Sequence, residues 1–372
     1  MPPCEQPRAG APPRPDRDAG PSLCANLCFL LILSVCMVGC SDDDSPSAPA
    51  TDTDFGAMLA SYAGNVAVAT YADLAAKSAA LVEAASALAA EPSSQALLDD
   101  ACQAWIDARS PWESGEAFLF GPAAFLSLDP SLDSWPVDRQ QLSHVLRSQL
   151  ELTPATVRDG LGPGLRGFHT IEYLLFRNGG PRAVTDLSPR ELEYLVATCT
   201  VLADDATLLH DAWADDYAAK LADAGSRGSP YVSQRAAVLE IIEGMIGICD
   251  EVANGKIADP FDERDPELVE SQFSWNSLTD FQDNMRSVMN AYTGGYHRGA
   301  DGPGLDAFVR EHDADLDQRL RAEIQAAIAA IAAIPEPFRD HLDQSATIEA
   351  AQTAIVTVFD TLERAVKPLV LN

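Results

Sequence analysis

No stretch of this sequence alternates apolar and polar residues in the manner of a half-buried strand, which excludes a core built on sheets. Basic charge is scarce too: lysine and arginine number 25 against 56 aspartates and glutamates, for a formal net charge of −31. A body that acidic repels phosphate backbones and anionic lipid and attracts cations, so nucleic acid is not an expected partner. Cysteine is sparse where it would matter for folding. Cys4, Cys24, Cys28, Cys36 and Cys40 all lie near the N-terminus, and only Cys102, Cys199 and Cys249 remain, each inside an apolar helical pattern. Three such residues make no disulfide framework and read as small buried hydrophobes.

The apolar run "LCFLLILSVCMV", Leu27 to Val38, is too short for a mature membrane span and has the length of a signal-peptide core. It leads into "MVGCSDDD", where Gly39-Cys40 is similar to a bacterial lipobox, with Met37 where leucine is usual. Residues 1–39 are therefore expected to be a signal peptide and Cys40 a lipidated residue. Residues 40–54 are expected to be a disordered, acidic tether that holds the body to the outer membrane in the cell envelope. A plain signal peptide cut nearby is the alternative. The proline-rich residues 1–22 are long for a signal-peptide head, as a start codon assigned too far upstream would make them.

Alanine and leucine at spacings of three and four dominate the rest of the chain, and the expected fold is all-α, built from antiparallel helices. A long first helix should end at Pro92 and a second, capped by Ser93 or Ser94, at Pro111. "SPRE" predicts a sharp start with Ser188 as cap, Pro189 in the first turn and Glu191 closing a capping box. Further helices are expected at about 232–253, 277–293, 304–333 and 345–366. A soft boundary at "GSRGSPY" divides the body into 55–228 and 229–372. Two long irregular segments, 111–136 and 254–276, are candidates for function.

Gly162, Gly164 and Gly167 satisfy G-x-G-x-x-G, but no strand feeds them, so the dinucleotide reading is rejected. Within the same stretch, "GFHTIE" puts His169 and Glu172 three apart on a helix, where an imidazole nitrogen and a carboxylate can face one point. Gly167 allows a close approach of other backbone there. Nitrogen with carboxylate suits iron, zinc or manganese. The partners would come from elsewhere: Glu113 and Glu116 among aromatics, Arg109 to orient a carboxylate, and Asp138 as a further ligand or, equally, a helix-dipole acid. His144, His210, His297, His312 and His341 stand alone. Asp280, in "SLTD", reads as part of a capping box, and Trp105, Trp135, Trp213 and Trp275 as core anchors.

Together "GFHTIE", "WIDARSPWESGEAFLFGP", "DSWPVD" and "SQFSWNSLTDFQDNM" resemble segments of the imelysin-like proteins of the bacterial envelope, and the likeness spans roughly residues 57–366. The resemblance implies two helical halves with a site between them near His169 and Glu172, and relatives in iron uptake. It implies His169, Glu172 and Glu116, then Glu113 and Arg109, as site residues. The family's old peptidase label fits poorly, because Tyr173 stands where an inverted zinc-peptidase motif needs its second histidine. Three readings stay open. The first is an envelope protein that binds a divalent or ferric ion for uptake or storage, with uptake proteins as partners; the others are a metal-dependent peptidase and a metal-free module for ligand or protein interaction.

Overall fold

The computed structural model describes residues 53–296 and 302–372. The expected signal peptide, Cys40, most of the tether and His297 lie outside the described residues. Thr53–Asn372 form one compact unit. Among the described residues the only paired strands are a two-residue antiparallel hairpin, β1 (Phe176–Arg177) and β2 (Gly180–Pro181). The fold is all-α.

Helix α1 (Ala69–Ala90) buries Tyr71, Leu74, Ser78, Leu81, Ala85 and Leu88, a stripe at spacings of three and four that fixes which face turns inward. Ser94 then caps α2 (Gln95–Glu113), accepting from the Leu97 amide at 3.4 Å. Because only four residues separate α1 from α2 and the two pack along each other, they form an antiparallel hairpin. Helix α3 (Gly167–Leu175) packs on α2 and on α4 (Pro189–Ala212), which also lies along α1. The Ser188–Glu191 capping box at the head of α4 is present as expected.

The chain continues through α5 (Gln234–Glu251), α6 (Ser277–Thr293), α7 (Ala314–Ala332) and α8 (Ser345–Thr361). Helix α7 packs on α6 and α8, and α5 packs on the same two. Helix α6 also packs on α2, so the end of α2 faces the start of α6 across the middle of the unit. Cys102, Cys199 and Cys249 are all buried and free, as expected.

Three local expectations need correction. Helix α2 does not stop at Pro111 but runs through it to Glu113. Pro111 forfeits one helical bond, to the Asp107 carbonyl, but the ladder resumes beyond it, where the Ser114 amide reaches the Ser110 carbonyl at 2.9 Å. The helix expected over 304–333 is broken at Asp313, whose backbone leaves the helical region and whose carboxylate caps the Leu316 amide at 2.9 Å. Nor does "SLTD" form a capping box. Asn276 precedes α6, the Ser277 hydroxyl donates to the Glu270 carbonyl, and Asp280 turns into the interior.

Candidate metal centre

Backbone against backbone sets the site. Gly167 opens α3 with φ +81°, and a Cβ there would lie 2.4 Å from the Leu132 carbonyl oxygen. Only glycine tolerates both conditions, and the close approach it permits brings Asp133, the next residue, against His169. The same device works on the other side. A Cβ at Gly244 of α5 would lie 2.2 Å from the Ala117 carbonyl oxygen, so α5 presses directly on the turn that carries Glu116.

Arg109 and Glu113, one turn apart on α2, are fully buried. The Arg109 guanidinium reaches four carboxylates: Glu113 and Asp133 at short range, Glu270 at 3.0 Å and Asp280 at 3.4 Å. Asp133 also accepts from the Trp112 indole at 2.7 Å. His169, wholly buried, places Nε2 at 3.1 Å from Asp133 Oδ1 and 3.4 Å from Glu270 Oε1, with Nδ1 at 3.6 Å from Glu172 Oε2. Nε2 is thus held at ion-pair range by Asp133 and Glu270, while Nδ1 faces Glu172 from beyond hydrogen-bond length. The Trp135 ring packs on the imidazole with centroids 4.8 Å apart.

A second cation completes the cluster. Lys256 Nζ lies 2.7 Å from Glu116, 3.2 Å from Glu270 and 3.4 Å from Glu113. Asn284 Nδ2 donates to Glu113 Oε2 at 2.6 Å and Glu116 Oε2 at 2.8 Å. Six carboxylates thus meet two permanent cations and one imidazole. An acidic cleft of about 450 Å³, lined by Asp129, Glu251, Asp259 and Trp135 among others, opens onto Glu116, Asp133, Lys256 and Glu270.

The charges respond to these neighbours. Burial pushes Glu113 up to about 7 against the pull of Arg109 and Lys256, and burial with the Glu113 charge holds Glu116 well above the usual carboxylate range. Burial would raise Asp133 too, but Arg109 and His169 outweigh it and hold it well below that range. For Glu270 burial is likewise outweighed, chiefly by Lys256, and it falls to about 2. Burial disfavours the charged imidazole, yet Asp133 outweighs it and raises His169 well above the ordinary histidine value.

The sequence candidates divide. His169, Arg109, Glu113 and Glu116 all enter the cluster, and Gly167 shapes it. Donor atoms of Asp133, His169 and Glu270 lie within 4.8 Å of one another, as do those of Glu113, Glu116 and Asp133, so Asp133 belongs to both groups. Glu172 is largely spent: Oε1 accepts from the Phe273 and Ser274 amides and the Ser274 hydroxyl at 2.7 to 2.9 Å, leaving only Oε2 towards His169. Asp138 stands outside, as the cap of the Arg139–Arg147 helix, accepting from the Gln141 amide at 2.8 Å. Trp105 and Trp213 are core anchors, but Trp135 lines the cleft and Trp275 is 39% exposed.

Asp133, Lys256, Glu270, Asp280 and Asn284 are not singled out by the sequence pattern. Asp133 opens the same "DSWPVD" segment that holds the candidate Asp138, and Lys256 is one of only four lysines in the chain. That scarcity is a usable signal.

The sequence model of the Imelysin family matches residues 67–365. Iron-regulated protein A of Synechococcus elongatus is 34% identical over 317 residues, covering 83% of this chain and 85% of that one. The crystal structure of a putative iron-regulated protein A precursor from Parabacteroides distasonis superposes with a TM-score of 0.79 at 32% identity, over 87% of this chain and 98% of that one. An imelysin-like protein from Psychrobacter arcticum shares the fold, with a TM-score of 0.69 at 14% identity over 85% of this chain and 95% of that one. A helical body that matches over nearly its whole length makes this chain a member of the imelysin family.

Proposed function

We propose that the protein captures a transition-metal ion, iron before others, as cargo for uptake or storage, at a centre where Asp133, His169 and Glu270 supply the donors. One observation carries this reading: donor atoms of Asp133, His169 and Glu270 lie within 4.8 Å of one another, and two of the three residues, Asp133 and Glu270, line an acidic cleft. A metal ion is an occupant that suits nitrogen and carboxylate donors together. Glu172, held by three donors, keeps its other oxygen facing Nδ1 at 3.6 Å. The names of two relatives, which record regulation by iron, support iron as the ion. Because Asp133 favours the charged imidazole, ion capture at His169 displaces a proton.

In this reading the body is held in the cell envelope by a lipid on Cys40, with the tether letting it meet uptake proteins. Nothing around Glu172 favours a peptidase: the Tyr173 ring that follows it packs on Arg177 and Phe273.

The test is elemental analysis of protein purified without chelator, followed by anaerobic titration with ferrous iron. The wild type is expected to hold one ion that His169→Ala loses. Equal iron content in the two proteins sinks the reading.

A further inference from the structure

Among the carboxylates that line the cleft stands one ammonium, that of Lys256. Lys256 closes the π-helical turn Val252–Lys256 that follows α5, and such turns, with one residue more than an α-helical turn, recur at functional sites. Its three N–H groups face three carboxylates, from Glu116, Glu270 and Glu113. Asn284 donates to two of the same carboxylates, while its own Oδ1, wholly buried, has no partner. Oxygens of Glu113, Glu116 and Asp133 come within 4.8 Å of one another.

An ammonium and a metal ion are rival occupants of such a basket. The ammonium brings one charge and a covalent tether, whereas the metal brings two or three charges and a stronger demand for oxygen. Lys256 has a flexible four-carbon stem, and its side chain is 8% exposed where the cleft begins. Glu251, Gly255 and Asp259 line the way out. Two of those three would receive a departing ammonium with a carboxylate.

We propose that Glu113, Glu116 and Asp133 form a second, all-oxygen ion position, two of whose carboxylates, Glu113 and Glu116, the ammonium of Lys256 neutralises until an incoming divalent or trivalent metal ion displaces it towards Glu251 and Asp259. The idea rests on the metal reading of the His169 centre and adds a neighbouring position that shares Asp133. Asn284 suits both states. Turning its amide over presents Oδ1 where Nδ2 now donates, which replaces a donor facing carboxylates by a ligand facing a cation.

Anaerobic calorimetric titration with ferrous iron tests the proposal on three proteins. Lys256→Met, which removes the rival cation, is expected to bind at least tenfold more tightly than wild type or to take one further ion per chain. Lys256→Arg keeps the charge and grips carboxylates with a planar fork, so it is expected to bind more weakly. Circular dichroism reports whether each variant folds. A folded Lys256→Met that binds no better than wild type overturns the proposal, while wild-type binding that disappears in His169→Ala keeps the metal reading intact. If Lys256→Met does not fold, Lys256→Arg decides, and an unchanged affinity overturns the proposal. Binding by Lys256→Met with none by wild type supports the stand-in cation and overturns ion capture by the wild type. No binding by any of the three overturns both.

Discussion

Arg109 holds four carboxylates with one guanidinium, wholly removed from water. Burial alone would lower its pKa, but Asp133, Glu113, Asp280 and Glu270 outweigh that and raise it well above the ordinary arginine value. Its removal leaves uncompensated carboxylate charge buried away from solvent. Arg109→Met is therefore expected to cost about 3–5 kcal/mol of folding stability, the usual loss when one partner of a buried ion pair is deleted. Urea unfolding measures it, and a loss under about 1 kcal/mol would show that the carboxylates simply take up protons. At this scale the sequence is informative only where chemistry and spacing coincide. Arg109, Glu113, Glu116, His169 and Glu172 stand at helical spacings beside aromatics or glycine and can be singled out. Asp280 cannot, because an acid three residues after a serine at a helix start has a cheaper explanation in capping. Lys256 and Glu270 sit where no periodicity exists to say which way a side chain points.

Element by element, the helices follow from apolar spacing and caps, and the departures have local causes. Helix α2 runs two residues past Pro111 at the loss of one bond, and Asp313 captures an amide and breaks a helix whose apolar rows run on. Between elements the decisive residue is Gly167. Its positive φ and the Leu132 carbonyl 2.4 Å from a hypothetical Cβ mean that any side chain pushes α3 away from the 131–133 segment. Gly167→Ala should lower stability by roughly 1–3 kcal/mol from backbone strain alone. It should also weaken iron binding, since Asp133 and His169 part. Thermal unfolding with and without iron separates the two effects; a variant with reduced stability but unchanged iron-induced stabilisation would show that the α3 contact is not what aligns the ligands. A glycine in a sequence announces freedom but not which backbone will come close, so this contact is legible only as permission.

For the whole molecule, charge is the feature that composition displays without help. With −31 formal charges and a cleft flanked by Asp129, Glu251 and Asp259, cations approach down a potential gradient. The rate of iron capture, followed by rapid filtration of radiolabelled ion, should fall several-fold between low and physiological ionic strength, while the release rate changes little. A capture rate indifferent to salt would mean the acidic cleft does not steer. What composition cannot display is the meeting of α2, α3 and the 252–284 stretch, because positions more than a hundred residues apart carry no shared period. Trp135 has a further consequence. Trp105, Trp112 and Trp213 are fully buried, whereas the Trp135 indole is shared between the cleft and the imidazole of His169. An ion settling beside that imidazole is therefore expected to change tryptophan emission, through Trp135 on the ring and through Trp112, whose indole donates to Asp133, so that the protein would carry its own optical gauge.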